Sequence, residues 1–289
     1  MKPAPFEYVA ARSAGEAIEV LARHGEDAKV LAGGQSLVPM LNMRLARPAM
    51  VLDINRAGEM DHLSEKDGAL AVGALVRQRT LERWAAARCP LMAEALRSIG
   101  HTAIRTRGTV AGSIAHADPA SELPALLLCL DGAVVARGVR GERVIPAGEL
   151  FVAPLTTRLR PDELLAEVRF TLPRPETGWG FAEVARRHGD FALVGAVALL
   201  WRGADGAVAG ARLAFFGAGQ TAVRAPAAEA LLVGRDPTAG RLRDAARAAA
   251  GALSPDSDLH ATARYRKRVA RTLTERALTD ALARARTPA

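Results

Sequence analysis

The chain has 289 residues, of which 49% are apolar and 24% charged, and this is typical of a folded globular protein with room for two domains. Its net charge is +8, but the arginines alternate with Asp and Glu and aromatic residues are few, so nucleic-acid binding is not expected. The apolar runs are too short to span a bilayer and the N-terminus has no apolar signal segment, so we expect a cytoplasmic protein without a membrane span.

The cysteines and histidines of the chain lack the spacing of a metal site. Cys89 and Cys129 form no CxxC pair, and the histidines are scattered. We therefore expect no bound metal and place both cysteines in the core.

The first elements of the chain predict a βαβ unit. A strand at residues 6–10 precedes a helix that Ser13 caps, with Glu16 three residues on, and that Gly25 ends. A second strand around Val30 runs into Gly33-Gly34, and a short helix then leads to a third strand at residues 50–54. The glycine pair therefore falls at the carboxyl end of a parallel strand, where open α/β sheets bind ligands.

Adjacent glycines let the backbone adopt positive φ and approach a bulky ligand closely, so several N–H groups can point at one anion. A pyrophosphate suits this geometry. Taken alone, the pair is also consistent with a tight turn that binds nothing. A second glycine-containing segment is needed to favour the binding site.

The middle of the chain alternates short strands and helices. Strands are predicted at residues 63–72, with a turn at Asp67-Gly68, and a helix capped by Thr80 stops before Pro90. After a helix at residues 91–99, residues 100–124 lack periodicity and are predicted to be a long functional loop. The remaining elements are a helix at 122–129 and strands at 133–136, near 144 and at 164–172.

The last part of the chain begins after Pro173, where proline and glycine mark a boundary. Strands at residues 180–185, 194–201 and 211–216 indicate an antiparallel sheet. Helices are predicted at residues 227–233, 240–251 and 261–283. We expect the last helix to bury the face with Tyr265, Val269, Leu273 and Leu278 and to expose its arginines.

Two motifs together resemble a known family. The first is AGGQSL at residues 32–37 with the following LDI strand, and the second is RGTVAGSIAHADPASELP at residues 107–124. Both are similar to the FAD-binding medium subunit of the molybdenum hydroxylases, the group of xanthine dehydrogenase and aerobic carbon monoxide dehydrogenase. The resemblance continues through ARRHGDFA at residues 185–192 and HATARYR at residues 260–266, so it covers nearly the whole chain.

The resemblance implies an α+β protein of two domains. A two-part α/β FAD-binding domain would span residues 1–173, with subdomains of about 1–55 and 56–173. A small domain of antiparallel strands and helices, of the carbon monoxide dehydrogenase flavoprotein type, would span residues 174–289. FAD would lie between the two.

The resemblance also implies which residues bind FAD. The first motif would wrap the pyrophosphate with Lys29, Val30, Leu31, Ala32, Gly33, Gly34, Gln35 and Ser36. The second would reach the phosphates with Thr109, Val110, Ala111, Gly112 and Ser113. Further expected contacts are Glu122 at the ribityl chain, assisted by Asp118, Leu165 at the adenine, and Ile99 and Phe191 at the flavin.

Some of these residues have a second interpretation. Asp118 would also open a turn before Pro119, Glu122 would also serve as a charge at a helix N-terminus, and Phe191 would also fit a core. Ala111 stands where many relatives have glycine, so a positive φ there would strain the loop, although we expect tolerance. Arg105 and Arg107 either steer the second motif or are surface charges.

The implied function is electron transfer within a complex. A large subunit would carry a molybdenum–pterin cofactor and a small subunit two-iron, two-sulfur clusters, assembled with this chain as a heterotrimer or its dimer. FAD would collect electrons for an external acceptor, which is NAD, a quinone or oxygen. No catalytic side chain is expected. The alternatives are a stand-alone flavin oxidase or dehydrogenase and a non-enzymatic scaffold that has lost FAD.

Overall fold

The structure is a computed structural model that describes residues 2–287. The outer ends of the two predicted domains, residues 1 and 289, therefore lie outside the described residues. Within residues 2–287, no helix is both long enough and apolar enough to cross a membrane.

The chain starts with a small parallel sheet. Its elements are β1 (Glu7–Ala10), α1 (Ala14–His24), β2 (Ala28–Leu31), α2 (Leu37–Asn42) and β3 (Met50–Asp53). The predicted βαβ arrangement is confirmed, but β3 lies between β1 and β2 and pairs in parallel with both. The Ser13 hydroxyl accepts the Glu16 N–H at 3.1 Å and caps α1, as the sequence predicts.

The second sheet has five antiparallel strands in the order β4-β5-β10-β6-β7, that is Leu63–Lys66, Ala69–Gly73, Leu164–Thr171, Ala133–Gly138 and Gly141–Pro146. The strands β8 (Phe151–Ala153) and β9 (Thr156–Thr157) form a separate ribbon. Six helices accompany this sheet: α3 (Gln78–Arg88), α4 (Pro90–Ser98), α5 (Thr102–Arg107), α6 (Val110–His116), α7 (Glu122–Cys129) and α8 (Ala147–Leu150).

Two predictions for this part of the chain are wrong. Residues 100–124 are not a long loop, because they contain α5, α6 and the start of α7. Thr80 does not cap α3, which begins two residues earlier at Gln78. The Gln78 N–H donates instead to the Gly108 carbonyl at 2.9 Å, so a distant segment satisfies the first turn of this helix.

The third sheet is antiparallel, as predicted. Its order is β11-β12-β13-β14, with ranges Gly178–Ala185, Ala192–Arg202, Val208–Phe216 and Val223–Arg224. The helices α9 (Pro226–Ala230), α10 (Ala239–Ala252) and α11 (Ala263–Arg284) follow. The long strand β12 is buried on both faces: Val197 and Leu199 pack in the core of the first two sheets, while Ala196, Ala198 and Leu200 pack in a second core with these helices.

The buried face of α11 differs from the prediction. Leu273 and Leu278 are buried as expected, but Tyr265 and Val269 are only partly covered. The arginine Arg266 is buried instead, because its guanidinium donates to the carbonyls of Leu193 and Gly217 and pairs with Asp258. Alanines complete this face of the helix, where the backbone of α11 approaches Gly178 and Gly180 of β11 too closely for a β-carbon.

The two cysteines lie in the core, as predicted. Both are free thiols and fully buried. Burial raises the pKa of the Cys129 thiol to about 12, so this residue is an unreactive core side chain.

Candidate cofactor site

The first glycine motif forms a turn between β2 and α2. Gly34 has φ 72°, a conformation that favours glycine over any residue with a β-carbon. The Gln35 side chain donates to the Gly33 carbonyl at 3.1 Å and closes the turn on itself. Within residues 2–287, the N–H groups of Gly34, Gln35 and Ser36 donate to no acceptor. The turn therefore presents a row of free donors.

The second motif forms the start of α6. The Thr109 hydroxyl accepts the Gly112 N–H at 3.0 Å, and the Val110 N–H donates to the Val76 carbonyl at 3.0 Å. Ala111 lies within α6 and has no positive φ, so its β-carbon causes no backbone strain there. Its N–H also lacks an acceptor in the described part of the chain.

The two motifs touch each other through their backbones. A β-carbon built on Gly33 would lie 2.5 Å from the Arg107 carbonyl oxygen and 2.7 Å from Gly108 Cα. Only glycine allows this approach. The free donors of the first turn are thereby brought beside the first turn of α6.

A cavity of about 610 Å³ lies where the motifs meet. It is lined by fifteen of the eighteen residues that we expected to bind FAD: Lys29, Val30, Ala32, Gly33, Gly34, Gln35, Ser36, Ile99, Thr109, Ala111, Gly112, Ser113, Glu122, Leu165 and Phe191. The other three lie nearby. Leu31 is partly buried in β2, Val110 is fully buried in the core, and Asp118 lines a neighbouring cavity of about 690 Å³.

The third sheet contributes the far wall of the cavity through the segment after β11. Gly189 has φ 84°, and a β-carbon there would lie 2.8 Å from the His101 ring. The rings of His101 and His188 meet at 6.1 Å. Phe191, two residues after Gly189, is 68% exposed, so the interpretation of Phe191 as a core residue is wrong.

Glu122 is the acidic side chain most changed by its surroundings. It is only 7% exposed at the N-terminus of α7 and lines the cavity. Burial, and secondarily the nearby carboxylate of Glu183 from β11, raises its pKa to about 8. Burial likewise raises the pKa of Glu183 to about 7. With this raised pKa, the Glu122 carboxyl is mostly protonated at neutral pH and can donate a hydrogen bond. An ionised carboxylate at a helix N-terminus could only accept one.

Asp118 does open a turn, because its carboxylate accepts the Ala120 N–H at 2.8 Å beside Pro119. The two arginines near the start of the second motif also differ from each other. Arg105 is buried and pairs with Glu82 at 2.9 Å, whereas the Arg107 side chain is exposed.

Sequence reasoning missed one residue of the cavity wall that has an evident chemical role. Gln78 is buried, its amide nitrogen donates to the Thr109 carbonyl at 3.5 Å, and its Oε1 has no partner in the described chain. A buried acceptor of this kind fits a donor on a ligand. No motif marks Gln78, since its position depends on contact with a segment thirty residues away.

The residues of this cavity fit FAD. The free N–H groups of the two glycine segments can donate hydrogen bonds to a diphosphate. The turn therefore needs no lysine or arginine to bind it. A protonated Glu122 and the Gln78 amide suit hydroxyl groups, and Ile99, Leu165 and Phe191 suit flat apolar rings. The volume is in the range of cofactor pockets.

Comparison with known proteins agrees with this fit. Residues 4–175 match the family described as the FAD binding domain in molybdopterin dehydrogenase, and residues 179–281 match the CO dehydrogenase flavoprotein C-terminal domain. The fold and the site thus define a two-domain, FAD-binding flavoprotein. The chain belongs to the family of FAD-binding medium subunits of molybdenum hydroxylase-type dehydrogenases, and is an oxidoreductase subunit.

Several relatives are similar over nearly their whole length. The chain is 42% identical to the 6-hydroxypseudooxynicotine dehydrogenase complex subunit alpha of Paenarthrobacter nicotinovorans, covering 99% of this chain and 97% of the relative. It is 41% identical to the caffeine dehydrogenase subunit beta of a Pseudomonas strain, with coverage of 97% and 96%. A solved structure of carbon monoxide dehydrogenase from Hydrogenophaga pseudoflava matches with a TM-score of 0.96 and 37% identity, covering 99% of this chain and 100% of that one.

These comparisons confirm the predicted family, the α+β two-domain fold and FAD as the cofactor.

Proposed function

We propose that this chain binds one FAD with the diphosphate held between the two glycine motifs and relays electrons from a partner subunit to an external acceptor. The observation that carries the binding mode is the backbone contact between Gly33 and Arg107, which sets free N–H groups of both motifs beside one cavity. When bound, FAD supplies the redox chemistry, because a flavin accepts and donates electrons singly or in pairs.

The roles of the individual residues follow from their positions around the cavity. Gly34, Gln35, Ser36 and Ala111 offer backbone donors to the phosphates, while Thr109 and Ser113 offer hydroxyls. Val110 is a fully buried core residue that holds the start of α6 in place. Leu31, which is partly buried in β2, packs beside Gly34 and supports the first turn.

Glu122 and Gln78 would bind the hydroxyls of the ribityl chain. Leu165 would face the adenine, and Ile99 and Phe191 the flavin ring. Asp118 assists through the turn that leads to Glu122. These residues bind, orient and exclude water, and none of them is needed as a nucleophile or general base.

The proposed complex has two further subunits. The words "medium chain" and "medium subunit" in the names of several relatives support partners of larger and smaller size. We assign a molybdenum–pterin cofactor to the large partner and two-iron, two-sulfur clusters to the small one, in a heterotrimer or its dimer. Co-purification from the native host with two chains carrying molybdenum and iron is the expected result. Isolation of a flavoprotein without either metal would contradict the complex.

The domain division is also a proposal. We place the boundary at Pro173, so that residues 174–289 form the C-terminal domain. Limited proteolysis should cut first in the segment between β10 and β11, which contains Pro173 and Pro175. An earliest cleavage elsewhere would contradict this boundary.

The experiment that tests FAD binding compares the wild-type protein with Gly34→Asp. Purified wild-type protein should be yellow and should release one FAD per chain on acid precipitation. The variant should fold but be colourless, because aspartate at φ 72° strains the turn and its β-carbon would crowd the Leu31 and Val38 side chains at 3.2 Å, which displaces the N–H donors of the first motif. Gly141→Asp is a matched control, since Gly141 has φ 106° on the surface with open space around it. A folded wild-type protein that ignores added FAD would contradict the proposal.

Acid precipitation also decides whether the flavin is covalently tethered to the protein, as it often is in a stand-alone oxidase or dehydrogenase. A covalently tethered flavin would stay with the pellet, whereas the proposed flavin should appear in the supernatant.

A further inference from the structure

Asn55 lies directly behind the first glycine turn and is fixed by four hydrogen bonds. Its side-chain nitrogen donates to the Ala32 carbonyl at 2.8 Å and to Asp53 Oδ1 at 2.6 Å, and its backbone N–H donates to the same carboxylate at 2.8 Å. The second Asp53 oxygen accepts the Tyr8 hydroxyl at 2.7 Å. Because the amide nitrogen faces two acceptors, its oxygen must face away from them, and there it accepts a bond from Arg77.

Arg77 connects this amide to the second glycine motif. One terminal nitrogen of its guanidinium donates to Asn55 Oδ1 at 2.7 Å, and the other donates to the Arg107 carbonyl at 2.7 Å. The planar guanidinium fixes the distance between these two acceptors. A continuous chain of bonds thus runs from Ala32 through Asn55 and Arg77 to Arg107.

The two carbonyls at the ends of this chain belong to the backbone beside the cavity. Ala32 precedes the glycine turn, and the Arg107 carbonyl is the atom that a β-carbon on Gly33 would meet. In a planar trans peptide the N–H points opposite to the carbonyl, so a held Ala32 carbonyl also fixes the direction of the Gly33 N–H. Neither Asn55 nor Arg77 lines the cavity.

We propose that Asn55 and Arg77 are positioning residues that set the spacing of the two glycine segments and thereby control how tightly the diphosphate is held. This inference rests on the proposed function, because it assumes that both segments contact one diphosphate. The two residues act together, because the Arg77–Asn55 hydrogen bond links the two segments. Loss of either residue removes that bond.

The test measures FAD binding to apoprotein variants. Asn55→Ala and Arg77→Gln should each raise the dissociation constant for FAD by roughly tenfold or more, since each loses a charge-assisted bond or frees a backbone carbonyl. The dissociation constant of the double variant should be close to that of the single variant that binds FAD more weakly, because both changes break the same chain of hydrogen bonds. Arg77→Lys keeps the positive charge but cannot donate to both acceptors at once. Its dissociation constant should lie between those of the wild type and Arg77→Gln. Arg56→Gln removes an exposed cation next to Asn55 and should leave the constant unchanged.

A spectroscopic readout separates positioning from a general loss of stability. At saturating FAD, the two phosphorus-31 resonances of the bound diphosphate should move in the variants, while the visible absorption of the flavin stays as in the wild type. Unchanged resonances, unchanged affinity, or additive losses in the double variant would each overturn the inference. If Arg77→Gln does not fold, Arg77→Lys and Asn55→Ala give the same decision. Wild-type protein that binds no FAD would instead contradict the proposed function itself.

Discussion

The Cα of Gly33 packs against the Arg107 carbonyl so closely that a β-carbon on Gly33 would lie 2.5 Å from that oxygen. This contact joins two segments that are far apart in the sequence and places their backbone donors around one cavity. In the proposed binding mode, the diphosphate is therefore held by backbone donors that this close approach brings together.

Gly33→Ala should weaken FAD binding by roughly tenfold or more, because relief of the clash requires a backbone shift that costs about 1–3 kcal/mol. The dissociation constant is measured by fluorescence titration of the apoprotein. Gly148→Ala is the matched control, since Gly148 has open space around it and needs no positive φ. Equal affinities for Gly33→Ala and the wild type would show that the two segments do not need this contact.

Thr109→Ala should lower the free energy of unfolding by about 1 kcal/mol, since it removes the cap that accepts the Gly112 N–H. Thr109→Ser keeps the hydroxyl and should restore most of the loss. Urea denaturation of the apoproteins gives both values. A serine variant no more stable than the alanine variant would mean that the methyl group, and not the cap, is responsible.

Glu122→Gln should flatten the dependence of stability on pH. The raised pKa of Glu122 means that the folded state holds a proton that the unfolded state releases near its ordinary pKa of 4.5. Stability is therefore highest below pH 4.5 for this group and falls as the pH rises to about 8, by about 1.4 kcal/mol for each unit of pKa difference. The neutral glutamine escapes this loss.

The measurement is the melting temperature of apoprotein between pH 5 and 8 for this variant and for Glu7→Gln, which changes an exposed glutamate on β1. Only Glu122→Gln should gain relative to the wild type at the upper end of the range. Parallel curves for all three proteins would mean that Glu122 is ionised throughout.

Arg105→Met should destabilise the protein by about 3 kcal/mol, because it leaves Glu82 buried without this partner. It also releases the carbonyls of Ile99 and Gly100, to which Arg105 donates at 2.8 and 3.2 Å. Arg107→Met, at an exposed side chain, should stay within about 0.5 kcal/mol of the wild type. Chemical denaturation measures both, and similar losses in the two variants would refute the distinction between the arginines.

The regular elements of the fold could be predicted from the sequence because their patterns are local. The strand β12 and the helices α7 and α10 are long apolar or amphipathic runs between clear turn residues, and they lie where the sequence predicts them. The first glycine motif could also be recognised in the sequence, because Gly34 adopts a positive φ that favours glycine.

The remaining features depend on partners distant in the sequence. The helices α5 and α6 have six and seven residues, too short to show a helical period. Asn55 and Arg77 bond to residues 23 and 30 positions away, so neither stands out beside its own neighbours. The burial of Arg266 in α11 likewise follows from carbonyls supplied by the third sheet. In each case tertiary contact overrides the local pattern.

The most direct measurement of the central claim is a crystal structure of the chain grown with FAD. We predict one FAD in the cavity, with its diphosphate within hydrogen-bond distance of the N–H groups of Gly34 to Ser36 and of Ala111. A diphosphate held by only one of these segments, or bound elsewhere on the protein, would contradict the account.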